Sequence, residues 1–304
     1  MKKKLLLVIP FILLVIGFSI YVVQRRSTNS PTAIQSSTKS QYTIKKDITY
    51  CSPEGSPQLL DLYSPQDGAI KHPLIIHVHG GSWVSGAKSD DSMIDVITSL
   101  AEKGFAVASI NYRLAPNSKF PAQIQDVKCA IRFMRSNANT YKVNPGKIGL
   151  LGESAGGHLS ALAGVSQNVS DFESSEYAGV SDSVSVIVDL FGPANLVSFT
   201  QGSPLLLTAL PSFLGSYSPI AASPTSYIDA SDPPFLLIHG DSDTLVPLAQ
   251  SQELLAKLQS AGVESSLITV VNAGHGLELS RGDAISPSMD QIKASAVSFF
   301  KSHL

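Results

Sequence analysis

Short apolar runs alternate with amphipathic segments along most of the chain, from about Tyr42 to the C-terminus. Eight runs have the length and the β-branched or aromatic content of strands: 42–50, 59–63, 74–78, 106–110, 148–151, 184–190, 235–238 and 267–271. The central runs are apolar without interruption, which is typical of parallel strands covered on both faces. The pattern therefore predicts a mostly parallel, eight-stranded sheet.

Helical periodicity lies between most of these runs. Segments 93–103, 123–137, 248–260 and 291–300 place apolar residues at spacings of three and four, and Gly262 fits a helix stop. Strand–helix alternation predicts one α/β domain over residues 42–304 with helices on both faces of the sheet. The first two strands have no helix between them, so we expect them to be antiparallel. Residues 192–234 hold seven prolines and one short apolar stretch, 205–210, and are predicted to be an insertion over one end of the sheet.

The first 41 residues differ from this body. Lys2–Lys4 precede 19 uncharged, mostly apolar residues, 5–23, and Arg25 and Arg26 follow them. The run is longer than a signal-peptide core of about 7–15 residues, which favours a membrane anchor over residues 1–23. Basic residues are slightly more numerous before the run, so the body is expected outside the cytoplasm. A signal peptide cut near Ala33, with secretion, is the alternative. Polar residues 24–41 are predicted to be a flexible tether.

Composition and charge exclude several function classes. The 304 residues are 43% hydrophobic and 15% charged, which is ordinary for a globular protein. Two cysteines, Cys51 and Cys129, are too few for a disulfide scaffold or a cysteine-rich zinc module. Whether these two pair cannot be deduced from the sequence. Residues 47–304 hold 14 Lys/Arg against 24 Asp/Glu, which argues against a nucleic-acid partner.

The segment from Ile148 to His158 carries the strongest chemical signal. An apolar strand runs into Gly152-Glu153-Ser154-Ala155-Gly156, and a helix-capable segment follows. This G-x-S-x-G pattern between a strand and a helix is a nucleophile elbow. The tight turn requires glycines near Ser154, exposes its hydroxyl and directs backbone N–H groups towards a developing negative charge.

From about residue 45 the chain resembles the α/β-hydrolase superfamily. The resemblance is strongest to carboxylesterases related to hormone-sensitive lipase and to feruloyl and acetyl-xylan esterases. Besides the elbow, three blocks carry it: H-G-G-S-W at 79–83, N-Y-R-L-A-P at 111–116 and H-G-D-S-D-T-L-V-P at 239–247. The family has a third glycine where this chain has Ser82, and aspartate where it has Asn111. The resemblance implies the α/β-hydrolase fold and a Ser–Asp–His triad.

The triad acid and base should follow the nucleophile in the order Asp, then His. Only His275 and His303 lie beyond the acid block, and His275 sits in a glycine-flanked loop after the last strand, so His275 is the expected base. Asp243 matches the family position for the acid, while Asp241 and Asp189 are weaker alternatives. The remaining histidines are interpreted as structural, except for His72, which is expected at the surface.

The oxyanion hole is expected to use the N–H of Ala155 and that of Gly81, with Gly80 or Ser82. Ser82 and Trp83 are candidate substrate-pocket residues, although Trp83 is equally well explained as packing support for the loop. The sequence holds no metal-binding or phosphate-binding motif, so neither a metal nor a cofactor is expected.

These residues together predict a serine hydrolase of carboxylic esters. The expected substrate is a small-molecule or saccharide ester with a short acyl group, acetyl to butyryl, including esters of bulky alcohols such as sugars, because only the 192–234 insertion is available to cover the site. An amide hydrolase, either an arylformamidase or a peptidase, is the alternative. A peptidase related to the prolyl oligopeptidases is disfavoured, because we would expect it to carry a propeller-length segment before the body, and this sequence does not show one. A catalytically inactive binding module is disfavoured by the complete Ser–Asp–His set.

Overall fold

The computed structural model describes residues 41–167, 169–199 and 206–304. The strands are β1 Tyr42–Cys51, β2 Gln58–Pro65, β3 His72–Val78, β4 Ala106–Ile110, β5 Val143–Glu153, β6 Val186–Leu190, β7 Phe235–Gly240 and β8 Ser265–Val270. The α-helices are α1 Ile94–Glu102, α2 Ala122–Ser136, α3 Ala138–Tyr141, α4 Ala155–Val165, α5 Leu196–Phe199, α6 Leu206–Leu214, α7 Ala249–Ser260 and α8 Met289–His303.

All eight strands belong to one sheet with the order β1-β2-β4-β3-β5-β6-β7-β8. Strands β1, β2 and β4 pair antiparallel, and every pair from β4/β3 to β7/β8 is parallel. The predicted fold class and the antiparallel entry are therefore confirmed. Parallel pairing brings the carboxyl ends of β3, β5, β6, β7 and β8 to one edge, where ligands bind in open α/β sheets.

Two apolar layers cover the sheet, one on each face. Alternate residues of β3 show the division: Leu74 and Ile76 pack with α2, α4 and α7, whereas Ile75 packs with α1 and α8. Successive side chains of a strand point to opposite faces, so an uninterrupted apolar run supplies both layers at once. The four predicted helices correspond to α1, α2, α7 and α8, with ends that differ by at most three residues.

Two features of the body were not determined by sequence. Cys51 at the end of β1 and Cys129 in α2 form a buried disulfide, which ties the edge strand to a central helix. Between β6 and β7 the chain forms the short helix α5 and then α6, which continues through Pro211. The predicted apolar stretch 205–210 overlaps the start of α6, and its first residue lies outside the described part.

The membrane prediction requires correction. No helix in the part of the chain that the structure describes is long and apolar enough to span a bilayer. This finding contradicts the predicted transmembrane anchor and the membrane-bound extracytoplasmic location that followed from it. The anchor segment 1–23, and the tether apart from its last residue, lie outside the described residues.

Candidate active site

The nucleophile elbow is built where β5 passes into α4. Ser154 has φ 54° and ψ −119°, a strained backbone conformation that exposes its side chain between strand and helix. A Cβ atom at Gly152 would clash with the carbonyl of Gly156, and one at Gly156 would clash with that of Val78. Both glycines are therefore required by close backbone approach. Ser154 N–H donates to Leu190 O at the end of β6 (2.9 Å), which fixes the elbow to the sheet.

Three side chains from three separate loops meet at this elbow. His275, in the loop after β8, lies with Nε2 3.0 Å from Ser154 Oγ and Nδ1 2.8 Å from Asp243 Oδ2. A carboxylate only accepts hydrogen bonds, so Nδ1 carries the proton and Nε2 presents a lone pair to the serine hydroxyl. The ring of Phe191 contacts the imidazole at a centroid distance of 4.8 Å. The arrangement can therefore remove the serine proton.

Asp243 lies buried in the loop after β7 and is surrounded by donors. Its Oδ1 accepts from the N–H groups of Leu245 and Val246, both at 2.9 Å, and its Oδ2 lies 3.2 Å from His239 Nε2. Burial by itself would raise the pKa of Asp243, but hydrogen bonds from His239 and His275, the charge of His275 and the Val246 N–H lower it well below its usual value. The side chain is consequently ionised at neutral pH.

The alternative acids and base lie elsewhere. Asp241 accepts from Asn272 N–H (2.8 Å) and pairs with Arg281, so it braces the loop that leads to His275. Asp189 accepts from Gly192 N–H and does not reach His275. His303, in the last turn of α8, contacts Phe299 O and Glu264.

The loop after β3 presents backbone donors beside Ser154. Gly80 N–H is directed at Glu153 Oε1 (2.9 Å), whereas the N–H groups of Gly81 and Ser82 have no acceptor among the described residues. Ala155 is the first residue of α4, where N–H groups have no partner within the helix. Gly81, Ser82 and Trp83 all have positive φ, at 108°, 53° and 62°, so the chain turns sharply here. Free donors therefore come from Gly81, Ser82 and Ala155 rather than Gly80.

Two supports of this site were not assigned from the sequence. Glu153 holds Gly80 through one oxygen and His77 Nε2 through the other (2.9 Å), and His77 Nδ1 contacts Ser109 Oγ. The acidic side chain of Glu153 inside the elbow motif was the sequence signal for this support.

The prediction for His72 is wrong: the residue is buried, not exposed, and contacts Gly104 O.

Two cavities of different shape meet at Ser154. One is a narrow cavity, and its walls are Ser82, Trp83, Ser154, Ala155, Pro193, Phe199, Leu245 and Val246. The other is a larger, open groove, bordered by residues that include Gly86, Asp90, Met93, Phe191 and His275. Trp83 both lines the narrow cavity and packs in the core, with 1% of its surface exposed.

Comparisons with known proteins show which sequences and folds this chain resembles. Residues 60–258 match the BD-FAE family, and residues 214–303 match the prolyl oligopeptidase family. Esterase LipC of Mycobacterium tuberculosis is 31% identical over 77% of this chain and 60% of its own length. A truncated carbohydrate esterase from gut microbiota superposes with a TM-score of 0.75 and 32% identity, covering 88% of this chain and 98% of the other.

A third relative was solved with a ligand. Esterase 2 of Thermogutta terrifontis, with propionate bound, has a TM-score of 0.72 and 26% identity, covering 86% of this chain and 94% of the other. The match spans less than two thirds of the length of LipC, so the activity of this protein is taken up below as a proposal. The chain belongs to the BD-FAE family and has the α/β-hydrolase fold of the esterases that it resembles.

Proposed function

We propose that this protein is a serine hydrolase of carboxylic esters, with Ser154 as nucleophile, His275 as general base and Asp243 as the acid that orients it. The observation that carries the proposal is the continuous hydrogen-bond chain from Ser154 Oγ to His275 (3.0 Å) and on to Asp243 (2.8 Å). Ser154 also lines the narrow cavity, and the N–H groups of Gly81 and Ser82 beside it have no acceptor among the described residues. The named esterases among the relatives support the same class.

The reaction follows from these positions. Ser154 Oγ attacks the ester carbonyl while His275 Nε2 takes the hydroxyl proton, and the oxyanion accepts hydrogen bonds from Ala155 N–H and from Gly81 or Ser82. His275 returns the proton to the leaving alcohol. Water then repeats the sequence on the acyl-enzyme and releases the acid. Each donor of this kind is worth about 2.7–4 kcal/mol in the transition state.

The two cavities support a preference for short acyl groups. An acyl chain entering the narrow cavity meets Phe199 and Trp83 as walls, both almost fully buried. Added methylenes beyond this space lose the burial of about 0.8 kcal/mol per CH₂ that a longer pocket would give. We assign the alcohol to the open groove, which is the larger of the two. The neighbouring esterase structures with propionate and butyrate are consistent with this assignment.

Labelling with a fluorophosphonate tests the nucleophile. The wild-type protein should be labelled at Ser154 and hydrolyse p-nitrophenyl acetate, and Ser154→Ala should do neither while keeping its melting temperature. The half-buried Ser154 side chain borders the two cavities and not the apolar core, so removing one hydroxyl should leave the fold unchanged. A variant that hydrolyses the ester at the wild-type rate would refute the proposed mechanism.

An acyl-chain series tests the pocket. kcat/KM for p-nitrophenyl esters should be highest between acetate and butyrate, and Phe199→Ala should move the optimum to longer chains. Phe172→Leu is the matched control, because Phe172 is equally buried but does not line the cavity. An optimum at ten carbons or more in the wild type would contradict the short-acyl proposal.

Amide hydrolysis is the second candidate, because residues 214–303 match the prolyl oligopeptidase family. Comparing p-nitrophenyl acetate with p-nitroacetanilide separates the two. Ester cleavage with negligible anilide cleavage is the expected result, and the reverse order would reassign the substrate class.

A further inference from the structure

A buried histidine joins the two segments that supply the oxyanion donors. His158 lies in the first turn of α4, three residues after Ala155, and is completely buried. Its Nδ1 is 3.2 Å from Trp83 Nε1, and its Nε2 is 2.7 Å from Ala222 O. No step of the reaction described above uses this side chain.

These contacts allow one protonation state of His158. The indole N–H of Trp83 only donates, so Nδ1 of His158 must be an unprotonated acceptor. The carbonyl of Ala222 only accepts, so Nε2 must carry the proton. Both contacts therefore select the same neutral tautomer. Burial lowers the pKa of His158 to about 4, and the Ala222 contact opposes this only in part, so the ring is neutral at physiological pH.

Aromatic packing fixes the partner ring. The indole of Trp83 stacks on Phe213 of α6 at a centroid distance of 4.4 Å and an interplanar angle of 14°, and meets His158 edge to face at 5.1 Å. The backbone of Trp83 is also bound, since its carbonyl accepts from Ala115 N–H. The side chain of Trp83 thus has little freedom to move relative to α4.

The tie spans the gap across which the oxyanion forms. Trp83 follows Gly81 and Ser82 directly, and these residues have positive φ, a conformation that non-glycine residues keep only when neighbours hold them there. His158 belongs to the helix whose first N–H is that of Ala155. A displacement of Trp83 would therefore change the separation of the two donor groups.

We propose that His158 is a positioning residue, which holds the loop 80–83 at the distance from α4 that the oxyanion requires through its hydrogen bond to Trp83. The inference rests on the proposed ester hydrolysis. It assigns His158 no contact with substrate. It predicts that breaking the Trp83–His158 bond weakens binding of the transition state and leaves binding of the ground state nearly unchanged.

The test uses Trp83→Phe, which removes the donor and keeps a ring on Phe213, together with His158→Leu and the double variant. Each is measured for kcat, KM, melting temperature and the inhibition constant of an aryl trifluoromethyl ketone. Ser154 Oγ adds to the ketone carbonyl, His275 takes the proton, and the carbonyl oxygen becomes an oxyanion. Loss of a whole donor costs about 10²–10³ in kcat, so a displaced donor should cost about 10-fold to 100-fold.

The expected result is a parallel change. kcat should fall and the inhibition constant should rise by the same factor, KM should stay within about threefold, and the double variant should be no worse than the more damaging single one. The matched control is His72→Gln, which alters a buried histidine at the opposite end of β3, bound to Gly104 O. His72→Gln should lower the melting temperature and leave kcat and the inhibition constant unchanged.

Several results would overturn the inference. Variants that only melt earlier, with unchanged kcat and inhibition constant, would show that His158 is purely structural. A lower kcat with unchanged ketone binding would exclude an effect on the oxyanion donors. If His158→Leu does not fold, His158→Phe, which keeps a planar ring at a position that does not line the cavity, is measured beside Trp83→Phe. A wild-type protein that neither hydrolyses esters nor binds the ketone would instead refute the proposed function.

Discussion

Two buried carboxyl groups near the carboxyl ends of neighbouring strands have pKa values shifted in opposite directions. Asp189 is in β6, and Asp243 is in the loop after β7. Both are shielded from water, yet burial raises the pKa of Asp189 to about 7, whereas the pKa of Asp243 lies well below its usual value. Asp189 accepts one N–H, from Gly192, and its Oδ2 has no partner among the described residues. Asp243 has donors on both oxygens.

The difference shows that hydrogen-bond donors, and not burial, decide which of the two carboxyl groups is ionised more readily. A carboxylate that accepts several hydrogen bonds is stabilised in its charged form even without solvent. His239 contributes to this environment: its Nδ1 contacts Ser251 Oγ (2.7 Å) and its Nε2 lies close to both Val246 O and Asp243 Oδ2. Asp189, in contrast, packs against Gly157 and Gly192 beneath the elbow, where any Cβ would clash with it. With so few donors, the buried Asp189 side chain is more stable in its neutral form.

The largest effect should come from Asp243→Asn. The amide cannot favour the protonated imidazole of His275 or hold its Nδ1–H tautomer, so kcat should fall by about 10⁴. The loss should be the same for every p-nitrophenyl ester, because the cavity walls are unchanged. Steady-state kinetics on acetate, butyrate and octanoate would check both statements.

Asp189→Asn provides the reciprocal measurement for that variant. It should keep kcat within a few-fold of wild type, since Asp189 does not contact His275. If Asp189→Asn lowers kcat more than Asp243→Asn does, the assignment of the acid is wrong.

The second effect is on stability and concerns Asp189 alone. Its pKa is higher in the folded protein than in the unfolded chain, so the folded state binds more protons. The stabilisation is complete below about pH 4 and is lost as pH rises through about 7. Asp189→Asn stays neutral, so wild type should lose stability relative to this variant by on the order of 3 kcal/mol between pH 5 and pH 8. Urea unfolding of both proteins across this range measures the difference.

A constant difference between the two proteins over that range would show that Asp189 does not titrate there. Glu264→Gln serves as a control for general acid titration, because that carboxyl is exposed and its one ion pair with the described residues is to His303. It should reproduce the wild-type pH dependence.

The same comparison explains what sequence patterns predicted and what they did not. The fold was predictable because eight apolar runs and the elbow are local signals, and the parallel sheet follows from their alternation. Asp241 and Asp243 follow a strand-like run and Asp189 lies near the end of another, so residue type could not separate them. Some of the partners that distinguish them lie far away in sequence: His275 is 32 residues from Asp243, and Asn272 is 31 residues from Asp241. Such partners are set by tertiary packing.

Other differences have equally specific causes. α6 was recognised only as an apolar stretch, because Pro211 within it is normally a helix breaker. Gly80 was offered as an oxyanion donor because it belongs to the glycine block. Its N–H is instead directed at Glu153, a carboxylate 73 residues further along the chain. Neither outcome could be derived from local propensity.

The smallest effect is expected from Asp241→Asn, which sharpens the comparison by altering a third carboxylate near the same strand end. Asp241 Oδ1 accepts from Asn272 N–H (2.8 Å), and Oδ2 pairs with Arg281, which is largely exposed. Burial opposes ionisation, but hydrogen bonds from Ser242, Arg281 and Asn272 lower the pKa of Asp241. The amide of asparagine can still accept from Asn272, so only the contact with Arg281 is lost.

We therefore expect Asp241→Asn to lower kcat by less than about threefold, because surface ion pairs contribute little and the loop from Asn272 to His275 keeps its backbone bond. Arg281→Gln is the matched control, since it removes the same ion pair from the other side and should give the same kcat. Both are measured on one ester at low and at high salt, where screening should erase any remaining difference from wild type. A loss close to that of Asp243→Asn would mean that Asp241, and not Asp243, governs the protonation of His275.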